Sequence, residues 1–449
     1  MPQSPDPAEL LRSRQYIGLL VLAGLIGVPI SAASWGFLWL VDKLQTAIFT
    51  DLPDSLGFDT PPAWWPLPPL LVAGVIVGFA IRYLPGRGGH SPADGFHTGD
   101  PPSPVTLPGI ALAALATLAG GAVLGPEAPL IALGGGLAIC AVRLIKSDTP
   151  QAAQAMLAAA GSFAAISTLL GSPILGAFLL MEAAGLSGPM LGVVLVPGLL
   201  AAGVGSLIFI GLDSWTGVGT FSLALPSLPP VGQPTVAEFG WALLVGLSAA
   251  VLAAGIRWLG LFLRPYIERR LMLLTPAAGL AVAGLAILFA QSTDHATSNV
   301  LFSGQNQIGP LIAGAAGYSL GAMLLLIGCK AIAYGVSLSS FRGGPVFPAM
   351  FVGAAGGIAF SHLPGLVLVA AVAMGIGAMA TAMLKLPLTS VLLATLLLGA
   401  DGLRVMPLVI VAVVVSYVVT ARLTPAPAPA PEPAAQPERR AREVEATPA

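Results

Sequence analysis

One carboxylate inside a long apolar stretch is the residue with the clearest chemical potential. Glu127 lies between Pro126 and Pro129, flanked by two glycine clusters, and the nearest other charges in the sequence are Asp100 and Arg143. Proline is favoured in the first turn of a helix, because its missing N–H would have no partner there, so a helix is predicted to start at Glu127. A charge inside a membrane costs roughly 2.5–3.5 kcal/mol and is usually functional. Glu127 is therefore a candidate functional residue if this stretch lies in a membrane.

The composition indicates that it does. Of the 449 residues, 56% are hydrophobic and 9% are charged, and the mean hydropathy is +0.90. Soluble domains carry about 25% charged residues, so we predict a polytopic membrane protein. Abundant glycine and proline favour an all-α bundle of tilted and interrupted helices over a β-barrel. The net charge of −1 predicts no nucleic-acid partner, and the two cysteines and four scattered histidines predict no metal site and no cofactor.

The apolar segments fall into two halves joined by a Pro/Gly/Ser-rich stretch. We predict a cytoplasmic N-terminal tail at 1–15, a first membrane repeat at 16–211, a linker at 212–235, a second membrane repeat at 236–422 and a disordered Pro/Ala-rich tail at 423–449. Several apolar segments are shorter than the ~20 residues that a full span needs, so they are predicted to be half-helices.

The two halves repeat one pattern. The sequence Gly125-Pro126-Glu127-Ala128-Pro129 recurs in outline as Gly344-Pro345-Val346-Phe347-Pro348. Some forty residues later, each half has a second proline element, at 171–177 and at 385–391. Interrupted helices in corresponding places of two halves predict a binding site at the interface between the repeats.

Loop charges indicate that the repeats have opposite orientations in the membrane. The loop after the first helix is acidic, with Asp51, Asp54 and Asp59, whereas its counterpart in the second half carries Arg264, Arg269 and Arg270 with Glu268. The positive-inside rule places the acidic loop outside and the basic loop inside. Basic residues near both ends, Arg12, Arg14 and Arg422, place both termini in the cytoplasm.

These motifs carry a family resemblance. Over about 16–420 the chain resembles the CLC family of chloride channels and proton–chloride exchangers. Gly125 to Pro129 resembles the family's Gly-Arg-Glu-Gly-Pro motif, and 340–348 is similar to its second glycine motif, Gly-x-Phe-x-Pro. The loop 88–92 occupies the place of the Gly-Ser-Gly-Ile-Pro motif, and 171–182 resembles the helix that ends in paired glutamates.

The resemblance implies two inverted-topology repeats in a multi-pass cell-membrane protein, and a homodimer with an anion pathway in each subunit. Glu127 takes the place of the gating glutamate. The anion-binding residues that it implies are Gly125, Ala128, Gly344, Val346, Phe347, Gly88, Gly89 and Ser91. The physical chemistry agrees, because converging helix N-termini can hold a dehydrated anion. A mobile carboxylate there would compete with the anion when ionised and withdraw when protonated.

Some positions depart from the family pattern. The pathway serine falls at Gly89, unless Ser91 supplies a hydroxyl, and Pro345 stands where the family uses a backbone N–H. Of the paired acids, the first is Glu182, whereas the second position is Ala183. We interpret Glu182 as the partner of a buried lysine, Lys330 or Lys385, in preference to a proton relay, because intramembrane charges commonly pair.

Three functions remain open. The favoured one is a passive, glutamate-gated channel for chloride or a similar monovalent anion in the lipid bilayer. The alternative is a proton-coupled anion exchanger, in which protons are a second partner. A remote alternative is an intramembrane enzyme, which would need a nucleophile–base pair or a metal cluster that the sequence does not offer.

Overall fold

The computed structural model describes residues 11–96, 99, 101–145, 149–185, 189–216 and 232–424. The first half contains seven of the longer helices: α1 Arg14–Thr46, α2 Leu67–Tyr83, α3 Leu107–Gly120, α4 Glu127–Ile145, α5 Gln151–Leu170, α6 Pro173–Ala183 and α7 Pro189–Thr216. The second half contains α8 Val236–Arg269, α9 Leu271–Thr293, α10 Ile308–Ala313, α11 Leu320–Ser340, α12 Val346–Ser361, α13 Leu368–Leu384, α14 Pro387–Leu397 and α15 Ala400–Leu423. The all-α prediction is confirmed.

The predicted tails and the predicted linker are only partly included in the described residues. Most of the two predicted tails, at 1–10 and 425–449, and the middle of the predicted linker, at 217–231, lie outside them. The linker was predicted to start at 212, but α7 continues to Thr216. The apolar segment before it extends the helix past the first polar residue, Asp213, because one charge at a helix end does not stop the backbone from bonding.

Local sequence sets the ends of several helices. Ser172 and Ser319 are N-caps whose side chains accept the backbone N–H three residues later, and Thr235 forms a capping box with Glu238. Within the described residues, eight helices are long and apolar enough to cross a membrane, and six apolar helices of 10–17 residues are shorter than a full span. The predicted half-helices are thus present in both halves.

The packing of the helices repeats from one half to the other. The pairs α4–α5, α5–α7, α1–α7 and α2–α3 pack together, and so do their counterparts α12–α13, α13–α15, α8–α15 and α9–α11. Two further contacts join equivalent helices of the two halves, α2 with α9 and α6 with α14. The same packing pattern in both halves is that of two structural repeats, and it confirms the predicted two-repeat architecture. The helix α13, which is buried from Val369 to Leu384, lies in the core of the second repeat.

Candidate functional site

The two proline–glycine motifs meet where the two repeats contact each other. Gly125 donates its N–H to the carbonyl of Gly344 at 2.8 Å, and Gly344 donates to the carbonyl of Gly125 at 2.6 Å. Each glycine lies two residues before a helix, since α4 begins at Glu127 and α12 begins at Val346. The start of each helix carries unpaired N–H groups and a partial positive charge, so two such ends are brought to one point.

The Glu127 side chain lies at this point. It is 0% exposed, and its Oε1 accepts the backbone N–H of Phe347 at 2.8 Å. Its Oε2 is buried without a hydrogen-bond partner among the described residues. A Cβ at Gly125 or Gly344 would lie 2.6 or 2.8 Å from Glu127 Cδ, so only glycine leaves room for the carboxylate on these two sides. We call this position of the carboxylate the seat.

A cavity lies on each side of the seat, and the two differ in charge. One, the basic cavity, has a volume of about 560 Å³, reaches Ala128 and Gly343, and is lined by Arg87 and Arg342. The other, the acidic cavity, has a volume of about 970 Å³ and reaches Leu124 and Pro126. The carboxylates that line the acidic cavity are Asp42, Asp54, Asp59 and Asp294. Glu127 therefore lies between the two cavities, because the acidic cavity reaches Pro126 and the basic cavity reaches Ala128, its two neighbours in sequence.

The predicted anion-binding residues form two groups. Around the seat lie Gly125, Ala128, Gly344, Val346 and Phe347. A second group, Gly88, Gly89 and Ser91, lies farther from the seat and lines the basic cavity, which also reaches Ala128 of the first group. In the first group, the N–H of Phe347 is taken by Glu127, and the N–H of Val346 has no acceptor among the described residues.

A polar face of α11 holds the seat in place, and of its residues only Lys330 was singled out from the sequence. Tyr334 is buried, and its hydroxyl donates to the carbonyl of Pro345 at 2.7 Å, just before α12. The Ser337 hydroxyl accepts the N–H of Val123 at 3.1 Å, just before α4. With Lys330, these side chains are spaced i, i+4 and i+7 and so share one helix face. That spacing of polar residues in an otherwise apolar helix is the signal that could have identified them.

Lys330 bonds to backbone carbonyls, not to a carboxylate. Its Nζ donates to Asn299, Leu301 and Phe302 at 3.1, 2.9 and 3.2 Å and lies 4.1 Å from the ring centroid of Phe351. Leu301 and Phe302 line the acidic cavity, so this buried ammonium fixes the wall of that cavity.

The ion pair predicted for Glu182 is therefore wrong. Its carboxylate accepts the N–H groups of Leu388 and Thr389 at 3.0 and 2.7 Å and the Thr389 hydroxyl at 2.6 Å. Lys385 is exposed, and the ion pairs found among the described residues include neither this lysine nor Glu182. The physical reason is that the start of α14 offers free N–H donors and a partial positive charge, which satisfy a carboxylate without a cation.

Known proteins resemble this chain in sequence. A family model described as voltage gated chloride channel matches residues 70–421. The putative ion-transport protein YfeO of Escherichia fergusonii is 29% identical over 360 residues, which are 79% of this chain and 81% of that protein. The protein of the same name from Escherichia coli is 28% identical over 360 residues, with the same coverage.

Two solved structures share the fold. A slow cyanobacterial Cl⁻/H⁺ antiporter has a TM-score of 0.73 at 19% identity and covers 91% of this chain and 95% of its own. A CLC-type fluoride/proton antiporter has a TM-score of 0.69 at 18% identity and covers 91% of this chain and 96% of its own. The two-repeat architecture of this chain is thus that of known anion transporters.

Proposed function

The chain belongs to the voltage-gated chloride channel family, and we propose that it moves chloride or a similar monovalent anion through a pathway gated by Glu127. The observation that carries the proposal is the seat. A fully buried carboxylate occupies the meeting point of two helix starts and separates two cavities. Membrane transport of anions is the family's activity, and the resemblance of 125–129 to the family's glutamate motif supports Glu127 as the gate of this chain.

The gating step follows from competition between two negative charges. In the seat, ionised Glu127 takes the N–H of Phe347 and the partial positive charge of the helix starts. An anion that passes from one cavity to the other needs the same donors, so the ionised carboxylate excludes it. A protonated carboxyl group loses most of its attraction to those donors and can leave the seat. Low pH therefore favours an open pathway.

The open pathway would hold an anion on backbone groups. Candidate donors are the N–H groups of Phe347, once Glu127 leaves it, and of Val346 and Ala128, while Pro345 supplies none. Helix starts bind anions without a fixed cation because N–H groups and the helix dipole act together. Gly344 would let the ion approach the backbone closely.

For the mode of transport we propose a passive channel. The family resemblance implies that the second of the paired acids relays protons in the exchangers, and in this chain Ala183 stands at that position. The neighbouring Glu182 is held by three hydrogen bonds from the start of α14. These bonds give Glu182 a structural role, because they join α6 to the start of α14. No enzymatic step is part of the proposal.

Proton-coupled exchange is the second candidate, and one observation favours it. The basic cavity extends to Ala128, next to the gate, so water there could carry protons to Glu127 without an inner acid. The two solved structures with this fold are both described as antiporters, of Cl⁻/H⁺ and of fluoride/proton.

We further propose that the basic cavity opens to the cytoplasm, that both termini lie there, and that two copies form a homodimer. The orientation follows the positive-inside rule, since Arg264 lies at the end of α8 beside Asp94 of the loop before α3. The homodimer is proposed from family membership. A monomeric mass by light scattering of the purified protein would exclude it.

Anion efflux and pH followed together in liposomes test the function. We expect chloride efflux from reconstituted protein that rises at low pH, without proton movement in fixed proportion to it. Glu127→Gln should stay folded and lose the pH dependence, whereas Glu182→Gln should keep it. Proton movement in fixed proportion to anion efflux would show that the protein is an exchanger and not a channel. Unchanged pH dependence in Glu127→Gln would refute the gate.

A further inference from the structure

The basic cavity is lined by Arg342, whose guanidinium group has N–H donors that lack acceptors among the described residues. Arg342 lies in the loop between α11 and α12, and its backbone N–H is fixed by the Thr117 hydroxyl at 3.2 Å. In its guanidinium group, Nη1 donates to the carbonyl of Phe341 at 3.1 Å. Nε is buried without a partner, and Nη2 has no acceptor among the described residues. An arginine in such a place normally bonds to a carboxylate or phosphate.

No carboxylate among the described residues bonds to the Arg342 guanidinium group. The acidic groups close enough to act on Arg342 are Asp94 and Glu268, and both form ion pairs with Arg264. The other charges that act on it, Arg87 and Arg264, are like charges. Within the described part of the chain, the positive charge of Arg342 therefore has no directly bonded carboxylate, and it faces a cavity in which an anion would gain more than at an open surface.

The rest of the cavity fits an organic body better than a bare ion. Its volume of about 560 Å³ falls in the range of about 300–1,000 Å³ that holds small organic ligands. Apolar side chains line it on several sides: Phe96, Ile110, Ile131, Phe163, Leu180 and Val194. A few polar groups stand among them, including the hydroxyl of Ser162, which already donates to the carbonyl of Ile131 at 2.9 Å.

We propose that the basic cavity is a binding site for an amphipathic organic monoanion, whose carboxylate bonds to Arg342 and whose apolar body packs on Ile110, Ile131 and Phe163. The carboxylate meets Nη2 and, after a small rotation of the side chain, the edge formed by Nη2 and Nε. This edge accepts a carboxylate through two parallel hydrogen bonds. Since Ala128 and Gly343 line the same cavity, such a ligand closes the route to the seat from this side. That consequence rests on the proposed anion pathway, whereas the binding does not.

Calorimetry on the purified full chain in detergent tests the binding without any transport assay. The probes are 4-tert-butylbenzoate, its neutral isostere 4-tert-butylbenzamide, and acetate, which carries the charge without the body. Hydrogen bonds to charged groups contribute about 1.5–3 kcal/mol, so we expect the benzoate to bind at least about tenfold more tightly than the amide. Acetate should bind weakly. Arg342→Gln should remove the difference between benzoate and amide.

Arg87→Gln is the matched control, because Arg87 lines the same cavity from a more exposed position. It should keep the tenfold preference for the benzoate. The proposal is overturned if the native chain binds neither aromatic probe, if it binds the amide as tightly as the benzoate, or if Arg87→Gln and Arg342→Gln weaken benzoate binding equally. The comparison of benzoate with amide needs no variant, so it remains decisive if Arg342→Gln does not fold. A chain that moves no anion but binds benzoate through Arg342 refutes the proposed function and leaves this site standing.

Discussion

Gly125→Ala should displace Glu127 from its seat and leave the fold intact. The three heavy atoms nearest to a Cβ at position 125 all belong to the Glu127 carboxylate group, with Cδ at 2.6 Å. These atoms are the end of a flexible side chain, so they can move away at little cost to the backbone. The φ angle of Gly125 is outside the left-handed region, and alanine adopts this backbone without strain.

The size of the effect follows from what the seat provides. The seated carboxylate holds one charge-assisted hydrogen bond, from Phe347 at 2.8 Å. Such a bond contributes about 1.5–3 kcal/mol, which corresponds to a shift of roughly tenfold to 150-fold between seated and displaced forms. At neutral pH, we expect the anion flux of Gly125→Ala to rise toward the level that the native protein reaches only in acid, and its pH dependence to flatten.

Chloride efflux from liposomes at pH 7.5 and pH 4.5 measures both quantities. The matched control is Gly356→Ala on α12, where a Cβ meets nothing within 4 Å, and it should behave like the native protein. In a double-mutant cycle, Gly125→Ala should add nothing once Glu127→Gln is present, because both act on one group. A native pH profile in Gly125→Ala, or an undiminished effect in the Glu127→Gln background, would refute the reasoning.

Three further substitutions test the surroundings of the seat. Lys330→Met leaves three backbone carbonyls without their donor, and should lower the free energy of unfolding by about 3 kcal/mol, measured by chemical unfolding in detergent; no loss would mean that water replaces the ammonium. Thr389→Val removes one bond to Glu182 and should cost about 1.5 kcal/mol of unfolding free energy while the pH profile of efflux stays native; an altered profile would restore Glu182 as a proton relay. Asp54→Asn with Asp59→Asn should raise efflux about twofold per charge. Each substitution removes the repulsion between one carboxylate and the passing anion, which is roughly 0.4 kcal/mol for two unit charges ~10 Å apart in water. That gain should vanish at ~1 M salt, where the screening length is about 3 Å, and a gain independent of salt would exclude an electrostatic cause.

The seat could be predicted from sequence because its determinants are local and duplicated. Two prolines and a lone carboxylate specify the start of α4 at Glu127, and the second copy of the pattern specifies the start of α12 at Val346. A repeat interface then brings the two starts together, which the mutual hydrogen bonds of Gly125 and Gly344 bear out.

The partners of the buried charges could not be predicted in the same way. Glu182 bonds to residues 206 and 207 positions away, mainly through backbone N–H groups that have no signature in the residue types. Lys330 bonds only to carbonyls, which every residue carries. The sequence shows that such buried charges need partners. It favours side chains of opposite charge as those partners, because the residue types identify charged side chains but not which backbone groups are free to bond. The sequence therefore favours a pair between Glu182 and either Lys330 or Lys385, whereas the main chain satisfies both Glu182 and Lys330.

The contacts of α11 bear on how the gate moves. Through Tyr334 and Ser337 this one helix holds Pro345, just before α12, and Val123, just before α4, so both helix starts at the seat are fixed to the same rigid element. A gate that opened by separating α4 from α12 would break these two bonds and the mutual bonds of Gly125 and Gly344. A rotation of the Glu127 side chain breaks only its bond with Phe347. The lower cost of the second movement favours a gate in which the carboxylate swings while the helix starts that bind the anion stay in place.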